Sequence, residues 1–219
     1  MSRRRIPILL VLSVALLLFV VGFVWSLLSG VSSSPTGSSP LESGSGPLPE
    51  LGPVPPFSLV DQAGEPFTRE DLAGAPWLAD FIFTTCAGVC PIMSTQMARL
   101  QHEIPEDSPL RLVSVSVDPG HDTPEVLREY AARYDADLER WTFLTGDPAA
   151  VYRLSIDGFK LAAGEREDWE PGVDDGPFVH STRMALVDAG GIIRGYYDGT
   201  DAAEMDRLRT DLRRLEAGS

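Results

Sequence analysis

From Ile6 to Leu28 the chain runs 23 residues without a charged side chain. As a helix rising about 1.5 Å per residue, this run is about 34 Å long, enough to cross a bilayer core. Arg3, Arg4 and Arg5 precede it, and no basic residue follows before Arg69. That asymmetry predicts a cytoplasmic N-terminus, with everything beyond Leu28 exported to the outer face of the cytoplasmic membrane. The apolar stretch of a cleaved signal peptide is shorter, about 7–15 residues, and leads to a small-residue cleavage pattern that is missing here. A retained single-pass transmembrane helix is the expectation, so the globular part must be built from what lies beyond it.

Ser29 to Gly52 is dominated by Ser, Gly and Pro and has no apolar period. This is the composition of a solvated linker. The expected organisation is therefore a basic cytoplasmic tip (1–5), an anchor (6–28), a linker (29–52) and one domain (53–219). Of 219 residues, 43% are hydrophobic and 23% charged, which suffices for an ordinary core. The net charge is −14, and the part beyond residue 52 carries 15 basic against 30 acidic groups. A balance of that sign works against nucleic-acid binding, which needs Lys and Arg for phosphate contacts.

Within the body, Phe57–Val60 reads as a short strand followed by a turn. Trp77–Phe83 (WLADFIF) reads as a buried strand and Leu110–Val117 as an alternating one. Helix is expected over Pro91–Ile104. It is expected again over Asp122–Tyr134, where Asp122, Glu125 and Pro124 resemble a helix start with Asp122 as cap. Trp141–Thr145 reads as a strand, Pro148–Leu154 as a short helix and 161–177 as a polar loop or insertion. Arg183–Val187 and Ile192–Tyr197 form a hairpin, and Ala202–Glu216 closes the chain as an amphipathic helix. This alternation predicts a layered α/β domain. Its strand–Cys loop–helix start and hairpin–helix end predict a thioredoxin-like fold.

The only cysteines are Cys86 and Cys90, in FIFTTCAGVCPIMS. Two cysteines exclude a multi-disulfide scaffold and a four-cysteine zinc module. A helix starting at Pro91 puts Cys90 at its N-terminus, where unpaired N–H groups and the dipole are expected to lower a thiol pKa. A bridge across so short a loop would remove little chain entropy. Chemistry is the stronger reading: the two sulfurs can close as a disulfide or clamp one soft metal ion. The spacing is C-x-x-x-C, not the C-x-x-C of thioredoxin-type reductases. Two thiolates with one imidazole suit copper as Cu(I) or Cu(II).

Three histidines are available. His102 lies on the face of the first helix between Gln101 and Glu103 and reads as solvated. His121 lies in the DPGHDTP loop, which its own polar surroundings explain. His180, in GPFVHSTRMALV, sits where a polar loop enters an apolar strand and is the best-placed ligand. Met93 and Met97 read as core filling. The acidic stretch 165–175 lacks the ordered spacing of a calcium loop.

The segments TTCAGVCPIMS, VSVSVDPGHDTPEVLREY and FVHSTRMALVDAGGIIRGYYDG, in that order, resemble the Sco/SenC family over residues 53–217. That resemblance implies a membrane-tethered, thioredoxin-fold copper protein that assists assembly of the binuclear copper centre of cytochrome c oxidase. It implies a copper site formed by Cys86, Cys90 and His180. The oxidase copper-centre subunit is the implied partner, with another exported copper carrier as a further one. A thiol–disulfide oxidoreductase that reduces the oxidase cysteines through Cys86 and Cys90 is the alternative, and a redox or copper sensor on the same site is a third use. One departure stands out. Many members carry an acidic residue directly before the ligand histidine, whereas Phe178 and Val179 precede His180 here. The DP-x-x-DTP segment is present as Asp118, Pro119, Asp122, Thr123 and Pro124. A peroxiredoxin-type T-x-x-C is absent, since Phe83 and Ala87 stand three before the cysteines.

Overall fold

The apolar strand that leads to the cysteines lies at the centre of the sheet. In the computed structural model, which describes residues 46–161, 164–165, 178–179 and 181–217, β4 (Trp77–Ile82) is buried at every position. It pairs in parallel with β5 (Arg111–Ser116), which pairs in parallel with β6 (Trp141–Thr145). On the other side β4 pairs antiparallel with β9 (Arg183–Val187), the first strand of a hairpin with β10 (Ile192–Asp198). Short strands β1 (Gly52–Pro53), β2 (Ser58–Asp61) and β3 (Pro66–Thr68) complete an eight-stranded sheet of order β1-β10-β9-β4-β5-β6-β2-β3. A separate pair joins β7 (Gly164–Glu165) to β8 (Phe178–Val179), so the polar insertion contains a two-stranded antiparallel unit.

Alternation along the strands gives the sheet two faces. Asp80 of β4 is in register with Ser114 of β5, which is in register with Phe143 of β6. Two helices cover that face, α1 (Val89–Glu103) and α2 (Pro124–Arg133). Tyr130 of α2 meets the Phe143 ring edge-on at 6.2 Å and shares a 2.8 Å hydrogen bond with Ser94 of α1. On the opposite face Trp77 and Phe81 pack edge-on against Phe159, at 5.7 and 5.3 Å. Phe159 follows a short helix, α3 (Pro148–Arg153), and a π-helical turn, Leu154–Gly158. The C-terminal helix α4 (Ala202–Ala217) meets α1 through the Arg209–Glu103 ion pair at 2.6 Å.

Three expectations shift. The sheet takes in chain assigned to the linker: the Leu51 N–H donates to Ile193 O at 2.9 Å, and Arg194 reaches the Leu48 carbonyl at 3.1 Å. Backbone donors facing an open sheet edge outweigh the local Ser/Gly/Pro composition there. Helix α1 begins at Val89, so Pro91 is its third residue and Cys90 its second. Helix α2 is capped by Thr123, whose Oγ1 accepts the Val126 N–H at 3.4 Å, and not by Asp122. Among the described residues no helix is long and apolar enough to cross a membrane; the charge-free run 6–28 lies outside them.

Candidate functional site

The cysteine loop leaves the C-terminal end of β4 and returns as α1. Its first turn is closed by the Cys86 N–H donating to Phe83 O at 3.2 Å. Gly88, with φ −103° and ψ −105°, caps α1. Both thiols are reduced and buried, Cys90 completely and Cys86 to within 6%. They touch. That contact is the largest cause holding the Cys90 thiol well above its ordinary range, and burial is the second. A hydrogen bond with the Phe83 backbone opposes the shift, and nearby Asp80 adds to it. The lowered pKa expected from the helix start is thus reversed in the reduced pair. Desolvation and a neighbouring thiol outweigh a helix end.

The loop is fastened to the strand end by Asp122, whose side chain is fully buried. Its carboxylate accepts from the Thr84 N–H at 3.0 Å and from Thr84 Oγ1 at 2.5 Å. Ser116 Oγ donates at 2.5 Å, and His121 Nδ1 lies 2.9 Å away. The hydrogen bond to Asp122 raises the His121 pKa. Asp118, His121 and Asp122 offer oxygen and nitrogen atoms within 4.8 Å of one another. The Asp122 oxygens, however, are already committed to these donors.

Thr84 sits two residues before Cys86, so the DPGHDTP loop is the second wall of the cysteine site. Sequence reading took Asp122 for a helix cap, because its spacing from Glu125 matches one. What it does is tie together segments 38 residues apart. A second group was also missed. Asp80 is fully buried beneath α1, and neither of its oxygens has a hydrogen-bond partner of acceptable geometry. The Ser114 hydroxyl opposite it receives the Trp141 Nε1–H at 2.9 Å and gives only partial relief. Burial pushes the Asp80 carboxyl up to about 7. The available signal was one acid in an otherwise apolar strand, WLADFIF.

Of the expected ligands, Cys86 and Cys90 come together. His180 lies outside the described residues. His102 is exposed late in α1, and Met93 and Met97 are fully buried in the core, as their spacing suggested.

A thioredoxin-like mixed α/β domain with a reduced, buried C-x-x-x-C pair where its central strand meets a helix defines the class of protein. Residues 50–215 match the family model described as SCO1/SenC. The chain belongs to the SCO1/SenC family. A SCO1 protein homolog of Bacillus subtilis (strain 168) is 33% identical over 162 residues, which is 73% of this chain and 81% of the relative. The solved structure of BsSco, described as a member of the Sco family of cytochrome c oxidase assembly proteins with a disulfide switch, is 31% identical. Its TM-score is 0.64, covering 77% of this chain and 96% of that one. Bradyrhizobium japonicum ScoI with copper bound is 26% identical at a TM-score of 0.62, covering 75% and 99% of the two chains.

Proposed function

We propose that this chain is a copper chaperone that delivers copper to the binuclear centre of cytochrome c oxidase during assembly. The observation that carries it is the pair of touching, reduced, buried thiols in a member of the SCO1/SenC family. Two thiolates form a soft donor set that suits copper, and His180 is read as the third ligand. Copper is the cargo, and loading displaces the proton of the Cys90 thiol, whose pKa is held above its ordinary range by contact with Cys86 and by burial. The loop's attachment through Thr84 and Asp122 fixes Cys86 against α1, so the donors are arranged before the ion arrives. Release proceeds by ligand exchange with the thiolates of the oxidase copper-centre subunit, and another exported copper carrier is the natural supplier. The run 6–28 is read as a single-pass anchor that keeps this domain on the outer face of the cytoplasmic membrane. Sharing a membrane with the recipient raises their effective concentration.

A second reading, a thiol–disulfide reductase acting on the oxidase cysteines, is favoured by the contact between the two thiols, since a disulfide needs that proximity. The raised Cys90 pKa speaks against a fast attacking thiolate. The deciding experiment loads the reduced full chain with copper under anaerobic conditions. Stoichiometry, Cu(II) absorption and EPR are compared for wild type and His180→Ala. About one copper per chain is expected, with a thiolate charge-transfer band and a nitrogen coupling that His180→Ala removes. A reduced protein that binds no copper would move the reductase reading ahead.

A further inference from the structure

Four large apolar side chains stand exposed among the described residues, Leu51, Ile92, Leu138 and Ile156. Scattered singly, such residues are ordinary surface. Ile92 is set apart by its place. It lies two residues after Cys90, in the first turns of α1, and 48% of it is open to solvent. Helical side chains lean toward the N-terminus of their helix, so Ile92 leans toward the cysteine loop. Val89, three residues before it and partly exposed, shares that side of the helix. Beside them the loop exposes Ala87 and, in part, Gly88. This rim carries no charge. From Phe81 to Ala98 there is no acidic or basic side chain, in a chain whose net charge is −14. The acidic surface is thus interrupted by an apolar one at the cysteine pair.

The occupant of this rim follows from the chemistry of transfer. Cys90 is fully buried and Cys86 is only 6% exposed. A sulfur that takes copper from them must reach bonding distance, so the protein carrying it must close on the loop and the start of α1. Resting on the copper reading above, we propose that Ile92, with Val89 and Ala87, is the seat of the recipient, a protein that presents its thiolates within an uncharged apolar surface. A charged group seated there would lose its water and find no opposite charge, so the matching surface is apolar. In the seated pair, the two Cu(I)–S bonds to Cys86 and Cys90 break as two form to the recipient's sulfurs. Two protons leave the recipient's thiols and two return to Cys86 and Cys90, and no electron moves. Burying the exposed half of Ile92 supplies affinity for the recipient without holding the ion. Affinity for the recipient and affinity for copper are therefore set by different residues.

The test is copper transfer from the reduced, Cu(I)-loaded full chain to the reduced, copper-free oxidase copper-centre subunit, followed over a range of subunit concentrations. Ile92→Ser is expected to load copper as wild type does, about one per chain. It should raise the half-saturating subunit concentration about three- to tenfold, because the apolar area is no longer buried, and keep the saturated rate within about twofold. Ile92→Leu should restore the wild-type value. A shift below about twofold in Ile92→Ser would overturn the assignment and leave the delivery reading intact. Loss of copper loading in that variant would make Ile92 part of the copper pocket and would also overturn it. So would a dimer of the full chain, seen by sedimentation, that Ile92→Ser dissociates without affecting transfer, since the rim would then seat a second copy. Wild type that holds copper and passes none to the subunit at any concentration would overturn both readings.

Discussion

Replacing Asp80 by Asn should change how stability depends on pH, and the size of the change follows from the burial of this group. Its carboxyl is raised from 3.8 to about 7, chiefly by desolvation. Across that window the folded chain holds a proton there and the unfolded chain does not. The contribution of Asp80 to stability should therefore fall as pH rises from about 4 to about 7 and then level off. At about 1.4 kcal/mol per pH unit, the loss is about 4 kcal/mol. Asn keeps the shape without the charge. Its own buried amide adds a constant offset, which does not affect the slope. Urea unfolding of wild type and Asp80→Asn, followed by tryptophan fluorescence at a series of pH values under reducing conditions, isolates the effect because other titrating groups cancel in the difference. The gap between the two chains should move in favour of Asn by about 4 kcal/mol between pH 4 and pH 8. A gap that stays constant over that range would show that the folded chain does not keep Asp80 protonated, and would refute the reasoning.

Two further perturbations test the wall of the site. Asp122→Ala strips the partner from the Thr84 N–H and from buried Ser116, and should destabilise the chain by about 3–5 kcal/mol in urea unfolding. A loss under about 0.5 kcal/mol would mean that the cysteine loop does not depend on this carboxylate. His121, half exposed, should titrate above its ordinary value of 6.5 by NMR, because the bond to Asp122 favours its charged form. What it adds to stability is complete below pH 6.5 and fades as pH rises through the raised value. In Asp122→Asn the midpoint should return toward 6.5, and no movement there would separate His121 from the network.

Much of the fold was legible because its signals are local. WLADFIF is apolar enough to be a central strand, and the hairpin and closing helix follow from their periods. The pair Cys86–Cys90 was recognisable from its spacing and from the strand and helix on either side. What escaped depends on partners distant in the chain. Residues 48–52 look like linker until the open edge of β10 is there to receive them. Asp122 has the spacing of a helix cap, and only the approach of Thr84 from the end of β4 turns it into the clamp of the cysteine loop. The helix-start argument for a low Cys90 pKa used one local dipole. The fold added a second thiol and removed water, and desolvation opposes charge more strongly than a helix end supports it. By itself the sequence named Cys86 and Cys90 as a pair of soft donors beside a helix start, since identity and spacing are enough for that. The tertiary structure decided the raised pKa of Cys90 and the groups that fasten the cysteine loop, because burial and long-range hydrogen bonds exist only once the strands and helices have met.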